Sequence, residues 1–295
     1  MTTAFRTGMV AIVGRPNVGK STLLNRLIGQ KISITSAKAQ TTRHTLRGVL
    51  TTDAQQFIFV DTPGFQTRHG NALNRLMNRS VTRALADVAV VLVVIEAGRF
   101  SAADRSLLPL LPTDVPVVLA INKIDKLTRK DELLPLIDSV AGEFAFAAIV
   151  PVSASKTIGL DDLLGAVASH LPLAPPMFGA DEITDRSARF LASEFLREKL
   201  FRRLGEELPY GLTVDIERFE EDGALRRIHA AVIVDKASHK SIVIGKDGAQ
   251  LKVAASEARQ DLERLFGGKV YLEVWVKVRG GWADDERALR SLGYE

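Results

Sequence analysis

The sequence predicts an α/β domain with a mostly parallel sheet and helices on both faces, followed by a small α+β domain. Three observations support this. Apolar runs rich in β-branched residues alternate with helical segments up to about residue 170. The stretch HLPLAPPMFGA (170–180) then interrupts the chain with three prolines and a glycine. Beyond it, strand candidates follow one another and alternate apolar with polar residues,.

The first six strand candidates are continuous apolar runs, which are typical of strands buried on both faces. They lie at 9–14, 46–50, 56–61, 88–95, 116–122 and 147–153. Helical segments separate most of them. Only TTDAQ (51–55) joins the second to the third, which favours a hairpin. We therefore expect one antiparallel strand in a sheet that is otherwise parallel.

The proline-rich stretch cannot continue the helix before it and predicts a linker. We place the first domain at 1–171, the linker at 172–184 and the second domain at 185–295. The second domain should run helix, strand, strand, helix, helix, strand, and end in a C-terminal helix. Its clearest predicted elements are a helix at 186–204, strands at 213–220 and 226–235, a helix at about 248–265 and a strand at 269–278.

Composition narrows the class of protein. The chain has 295 residues, of which 46% are hydrophobic and 25% charged, as in globular proteins,. It has no cysteine, which excludes disulfides and thiolate metal sites,. The longest apolar stretch, VAVVLVVI (88–95), is too short to span a bilayer,. We expect a soluble, cytoplasmic protein.

The loop GRPNVGKS (14–21) follows the first strand and opens a helix, which is the context that the phosphate-binding pattern GxxxxGK[ST] requires,. Backbone amides of such a loop point at a phosphate beside the helix N-terminus. Lys20 would place a charge on the outer phosphates, and the Ser21 hydroxyl would ligate Mg²⁺. Thr22 would add a contact near the α-phosphate. The alternative is a plain glycine turn with a solvated lysine.

Three more stretches indicate that the nucleotide carries guanine. DTPG (61–64) closes a strand, so that Asp61 could hold Mg²⁺ through water and the Gly64 amide could sense a γ-phosphate. NKID (122–125) also closes a strand, and a carboxylate at Asp125 accepts from both N1–H and N2–H of guanine,. SAS (153–155) follows the last strand, where its backbone would meet the base carbonyl. Ligands bind at these strand ends in open α/β sheets.

QTTRH (40–44) lies in a polar segment that suits a switch loop. Thr42 is our choice to reach Mg²⁺ and the γ-phosphate, with Thr41 as a near alternative. The predicted GTP-site residues are Gly14, Arg15, Pro16, Asn17, Val18, Gly19, Lys20, Ser21, Thr22, Asp61, Thr62, Pro63, Gly64, Phe65, Asn122, Lys123, Ile124, Asp125, Ser153 and Ala154.

Position 65 is a phenylalanine, where Ras-like enzymes carry the glutamine that orients the attacking water,. There is no clear arginine finger either. Intrinsic hydrolysis should therefore be slow. Asn17 could compensate by holding a monovalent cation against the phosphates. The alternative is that Asn17 only stabilises the loop turn.

A second glycine loop, GKDG (245–248), precedes a helix pattern. Its two glycines would let the backbone lie flat against a nucleotide chain, with Lys246 facing phosphates and apolar side chains forming a groove for about four unpaired bases. Residues 230–279 carry nine basic and six acidic side chains, whereas 201–295 is not basic overall, so any such footprint is local,. The alternative is an ordinary turn. The predicted RNA-site residues are Gly245, Lys246, Asp247, Gly248 and Lys252.

Taken together, the chain resembles the Era family of bacterial GTPases. The resemblance covers nearly all of it and rests on the segments 14–48, 61–65, 122–125, 153–164 and 240–252. It implies a P-loop GTPase domain joined to a type II KH domain. It implies binding near the 3′ end of small-subunit (16S) ribosomal RNA, a checkpoint role in 30S subunit assembly, and partial peripheral association with the inner membrane. It also implies the potassium role for Asn17 and the switch role for Thr42. We expect a monomer.

The sequence leaves two alternative functions. A small-molecule kinase or ATPase could use the same phosphate loop, but NKID (122–125) argues against it. A GTPase whose C-terminal fold binds another protein would not need Lys246 and Lys252 for RNA retention. If the switch interpretation holds, GTP orders the loops around Thr42 and Gly64 and uncovers the RNA groove, so GTP and RNA should tighten each other's binding.

Overall fold

The computed structural model describes residues 5–36, 38, 40–64, 72–205 and 211–294. They divide into two compact units. The first contains residues up to 33, 42–69 and 77–185, and the second contains 34–41, 70–76 and the chain from 186 onward. No helix in the described ranges is both long and apolar enough to cross a bilayer.

The first unit is built on a sheet with the strand order β2-β3-β1-β4-β5-β6. The strands are β1 (Arg6–Val13), β2 (Leu46–Thr51), β3 (Gln55–Asp61), β4 (Val90–Glu96), β5 (Val117–Asn122) and β6 (Ala148–Pro151). β2 runs antiparallel to β3, and every other neighbouring pair is parallel. The predicted fold class is therefore confirmed, including the single antiparallel strand.

Helices cover this sheet. They are α1 (Lys20–Ile28), α2 (Ala72–Ala86), α3 (Ala102–Arg105), α4 (Leu133–Ala141) and α5 (Leu160–Ala168). Val81 and Leu85 of α2 and Val140 of α4 share one buried apolar cluster with alternate residues of β1, β4 and β5. α1 contacts β2 and β3, and α5 contacts β5 and β6. The four inner strands β3, β1, β4 and β5 are nearly fully buried, as their continuous apolar runs predict, whereas the edge strands β2 and β6 are partly exposed,.

The second unit follows the predicted order of elements. They are α6 (Ala188–Arg203), β7 (Leu212–Asp222), β8 (Leu225–Val234), α7 (Ala237–Ile244), α8 (Ala249–Phe266), β9 (Lys269–Val278) and α9 (Glu286–Ser291). β8 lies in the centre of the sheet, antiparallel to β7 and parallel to β9. One face of this sheet packs on α6 and α8 through a core that includes Phe195, Val232 and Leu262. α8 and β9 together line the cleft described below.

Candidate functional site

The phosphate loop joins the end of β1 to Lys20, where α1 begins. Gly19 has a φ of 102°, and a Cβ there would lie 2.4 Å from Nδ2 of Asn122, so only glycine fits,. The Lys20 ammonium is buried and donates to the carbonyls of Gly14 at 2.9 Å and Arg15 at 3.2 Å. Burial lowers the pKa of Lys20 to about 8,.

Two hydroxyl side chains contact the carboxylate at the end of β3, and a third contacts one of the two. Ser21 Oγ donates to Asp61 Oδ2 at 2.8 Å, and Ser33 Oγ donates to the same oxygen at 2.8 Å. Thr42 Oγ1 lies 2.8 Å from Ser21 Oγ. Thr41, the alternative at this position, instead donates to the carbonyl of Lys38 at 2.7 Å. The structure thus brings Thr42, and not Thr41, to Ser21.

This group of oxygens fits Mg²⁺. Adjacent ligands of an octahedral Mg²⁺ with bonds of about 2.0–2.1 Å lie about 2.8–3.0 Å apart, and the hydroxyls of Ser21 and Thr42 are 2.8 Å apart. Asp61 Oδ1 is buried with no hydrogen-bond partner among the described residues, and it could accept from a metal-bound water,. Burial raises the pKa of Asp61, while the charge of Lys20 and the hydroxyls of Ser21 and Ser33 oppose that rise.

The DTPG turn lies against the phosphate loop. Thr62 Oγ1 donates to the carbonyl of Ile12 at 2.8 Å, which fixes the start of the turn to β1. A Cβ at Gly64 would come within 2.9 Å of Pro16 Cα, so the two loops are in backbone contact. Phe65 lies outside the described residues.

The base-recognition residues converge at the ends of β5 and β6. Asn122 is buried; its Nδ2 donates to the carbonyl of Val18 at 2.9 Å, and its Oδ1 accepts from the amide of Ala154 at 3.0 Å. Asp125 is exposed and accepts from the hydroxyls of Ser153 and Ser155. The hydrogen bond from Ser153 lowers the pKa of Asp125, so this carboxylate stays charged at neutral pH and available to a base,.

Ionic and hydrogen-bonded contacts hold two residues of the phosphate loop in place. Lys123 Nζ donates to the carbonyl of Asn17 at 2.6 Å and to Glu96 Oε1 at 2.9 Å. Arg15 Nε donates to the buried carboxylate of Asp104 at 3.1 Å. The Arg15 guanidinium is therefore held by carboxylates. If Arg15 contacts a nucleotide, its backbone would make the contact and its side chain would not.

The second glycine loop lies between α7 and α8. Gly245 has a φ of 73°, and a Cβ there would meet Gln250 Cβ at 2.7 Å. Asp247 is also left-handed, at a φ of 52°, and with Lys246 it is exposed. Next to the loop is an open cleft of about 400 Å³. Its lining comprises Gly248, Leu251, Lys252, Ala255, Ser256, Arg259, Tyr271, Leu272, Glu273 and Val274.

Comparisons with known proteins agree with this geometry. A family model described as a 50S ribosome-binding GTPase matches residues 9–123, and a KH domain model matches residues 207–283. GTPase Era of Bordetella avium (strain 197N) is 59% identical over 292 residues, which cover 99% of each chain. This chain belongs to the Era family of GTPases. A second relative in the family, GTPase Era of Chromobacterium violaceum, is 58% identical over 293 residues and 99% of each chain.

Two solved Era structures share the whole fold. One is Era in complex with MgGDPNP and nucleotides 1506–1542 of 16S ribosomal RNA; the other is a variant of Aquifex aeolicus Era bound to GDP·AlF4⁻. Each has a TM-score of 0.95 and 39% sequence identity, and each match covers 98% of this chain and 99% of that chain. The likeness extends over both units, so the GTPase and KH assignments are confirmed.

Several residues at these sites were not predicted from the sequence. Ser33 donates a hydrogen bond to Asp61. Glu96 accepts from Lys123, and Asp104 accepts from Arg15. Tyr271 lines the cleft. Ser33 belongs to no motif and is separated from Asp61 by 28 positions. Tyr271 could have been noticed as an aromatic residue in an alternating strand near a basic loop.

Proposed function

We propose that this chain is a GTP-hydrolysing switch that binds 16S ribosomal RNA near its 3′ end and acts in the assembly of the small ribosomal subunit. The observation that carries the proposal is the likeness, over 98% of the chain, to an Era structure whose ligands are MgGDPNP and 16S nucleotides 1506–1542. The arrangement of Lys20, Ser21 and Asp125 supports the nucleotide half, and the cleft beside Lys252 supports the RNA half.

In the nucleotide site, Lys20 and the amides at the start of α1 hold the phosphates, and Asp125 with the Ala154 backbone selects guanine. Mg²⁺, when bound, neutralises charge on the β- and γ-phosphates. Ser21 and Thr42 would hold it directly and Asp61 through water. The Gly64 amide senses the γ-phosphate, and losing that phosphate releases the loops of Thr42 and Gly64 together.

We further propose that hydrolysis is slow and stimulated by potassium. Phe65 cannot hydrogen-bond a water, and the Arg15 guanidinium is held by Asp104. Asn17 is exposed at the tip of the phosphate loop with a φ of 67°, a place from which its amide oxygen could hold a cation. Turnover in potassium should exceed turnover in sodium at equal ionic strength, and Asn17→Ala should remove the difference. Equal rates in the two salts would contradict this role.

In the second unit, the proposed RNA site comprises Gly245, Lys246, Asp247, Gly248 and Lys252. Two left-handed glycines and the start of α8 suit a nucleotide backbone, and the cleft has room for unpaired bases,. We propose that the functional partner is the 30S subunit, that the protein is a monomer, and that it associates peripherally with the inner membrane. The domain limits 1–171, 172–184 and 185–295 belong to the same proposal.

A direct test uses crosslinking to RNA in cells, followed by identification of the crosslinked nucleotides and peptides. We expect nucleotides at the 3′ end of 16S RNA joined to peptides that contain residues 245–259 or Tyr271. Crosslinks that fall elsewhere on the chain, or only to other RNAs, would overturn the RNA half. Nucleotide competition tests the other half, because ATP that displaces GTP at equal concentration is incompatible with guanine selection by Asp125.

A further inference from the structure

Between Ser33 and Thr42, the described residues of the chain are held on α6 of the second unit. Ile34 is 2% exposed and belongs to the apolar core that α6 forms with the KH sheet. The amide of Thr35 donates to Glu198 Oε1 at 2.8 Å, and the Thr35 hydroxyl donates to the same oxygen at 3.3 Å. Glu198 is fully buried, so this carboxylate depends on the segment, together with Arg202 and Lys199, for its hydrogen bonds and counter-charges,.

The other end of the segment is held by Arg197. Its Nη2 donates to the carbonyl of Thr41 at 2.5 Å and also forms an ion pair with Glu194 at 2.7 Å. The Arg197 side chain is 1% exposed and is fixed by Glu194 through two of its nitrogens. A buried, paired guanidinium moves little, so it fixes the position of the carbonyl that precedes Thr42.

A third contact holds the middle of the segment. Lys38 Nζ donates to the carbonyl of Phe201 at 2.8 Å and to the carbonyl of Leu204. Phe201 lies in the last turn of α6 and Leu204 is the residue that follows the helix. At such a helix end, backbone acceptors lack partners within the helix and the helix dipole favours a cation. Lys38 therefore serves as a charged cap for α6 that is supplied from another part of the chain.

Both ends of this held segment lead directly into the metal-binding group of oxygens. Ser33, just before it, donates to Asp61, and Thr42, just after it, lies 2.8 Å from Ser21. Thr41 and Thr42 share a peptide unit, which is planar and rigid. The position of the Thr42 hydroxyl is therefore constrained on one side by Ser21 and on the other by the hydrogen bond from Arg197 to Thr41.

We propose that Arg197, assisted by Glu198 and Lys38, is a positioning residue for Thr42, so that a helix of the C-terminal unit sets the GTPase rate. The proposal rests on the function proposed above, because it takes Thr42 as the residue that meets Mg²⁺ and the γ-phosphate. GDP lacks the γ-phosphate and does not need Thr42. Loss of the Arg197 contact should therefore slow hydrolysis of bound GTP and leave GDP affinity nearly unchanged.

The test is a double-mutant cycle on the full chain, measured by single-turnover hydrolysis at saturating GTP and Mg²⁺. Arg197→Lys keeps the charge beside Glu194 but loses the reach to Thr41, and Lys38→Met removes the cap from the segment side. We expect each to lower the rate by about 3- to 30-fold. With Thr42→Ala already present, neither should lower it further, because residues that act through the same contact are not additive.

Arg203→Ala is the matched control. Arg203 lies on the same helix, is partly exposed and forms an ion pair with Glu257 of α8. The change therefore removes an arginine of α6 whose ion pair is with α8 and not with the segment 34–41. It should leave the rate unchanged. Thermal unfolding of each variant distinguishes a loss of folding from a displacement of Thr42 in a folded protein.

Additive losses in the cycle, or a normal rate in both Arg197→Lys and Lys38→Met, would overturn the proposal. A Thr42→Ala variant that hydrolyses GTP normally would instead refute the assigned role of Thr42.

Discussion

Asn122 Nδ2 donates to the carbonyl of Val18 at 2.9 Å and so ties the end of β5 to a phosphate loop 104 positions earlier in the chain. Its Oδ1 simultaneously accepts from the amides of Lys123 at 2.8 Å and Ala154 at 3.0 Å. A single buried amide thus joins the glycine loop 14–21 to both loops that we propose recognise the base. In that proposal, the sites for guanine and for phosphate share one structural element.

Asn122→Ala should weaken GTP and GDP alike. The change leaves buried backbone groups at Val18 and Ala154 without partners, at a cost of about 1–3 kcal/mol for each unsatisfied group. Neither group belongs to the loops of Thr42 and Gly64, which we propose sense the γ-phosphate. The ratio of GTP to GDP affinity should therefore stay constant while both affinities fall at least tenfold. Fluorescent-nucleotide titration measures both. A variant that loses GTP selectively would show that Asn122 contributes to γ-phosphate sensing instead.

Asp125→Asn should change which base is bound. The Asp125 carboxylate accepts hydrogen bonds from Ser153 and Ser155, which orient it. We propose that it is the acceptor for the paired N–H donors of guanine. An amide offers one acceptor and one donor, which suits a base with a carbonyl at C2, such as xanthine. GTP affinity should fall on the order of a hundredfold and XTP affinity should rise. Competition of XTP and GTP against labelled GDP measures both affinities. Asp131→Asn, at an exposed acidic residue paired with Arg129, is the control.

The sequence predicted the parts of the site that depend on strand ends. Asp61 and Asn122 come together because the carboxyl ends of parallel strands meet at one edge of the sheet, and each was predicted from a motif that closes a strand,. The same holds for Lys20, since α1 begins where the glycine loop ends. These relationships need only local sequence and the topology of the fold.

Other contacts were beyond sequence reasoning. Thr35 and Glu198 are 163 positions apart, and nothing local to either residue indicates a partner. The path of a polar loop determines that contact, and loop paths carry no periodicity. The β-branched run 242–244 lies within helix α7, where the predicted order of elements has the first of two successive helices, and Val243 packs into the core.

Nucleotide binding should take up protons near pH 8.5. Burial holds the pKa of Lys20 at about 8, below its ordinary value of 10.5, so part of the Lys20 population is neutral at this pH in the free protein. Phosphate favours the charged form and raises the pKa, so binding draws a proton from solution. It follows that GDP affinity falls as pH rises from 7.5 to 9.5. Calorimetry without Mg²⁺ in two buffers of different ionisation enthalpy gives the proton count at each pH.

Lys20→Met is the control for that measurement. It should bind GDP weakly, show no buffer-dependent heat near pH 8.5 and lose the decline of affinity with pH. If the wild-type protein and Lys20→Met took up equal numbers of protons, the titrating group would lie elsewhere.

Lys252→Ala should weaken RNA binding and reduce its dependence on salt. Lys252 is exposed on α8 and lines the cleft together with Gly248 and with Tyr271 of β9. If it contacts one phosphate of a single strand, its loss should lower affinity on the order of tenfold and reduce the slope of log K against log salt by roughly 0.7. Arg218→Ala removes an equal charge from β7, outside the cleft lining, and should change neither quantity. A filter-binding series with a 16S 3′-end oligonucleotide distinguishes a specific phosphate contact from a general charge effect, because the latter would affect Lys252 and Arg218 equally.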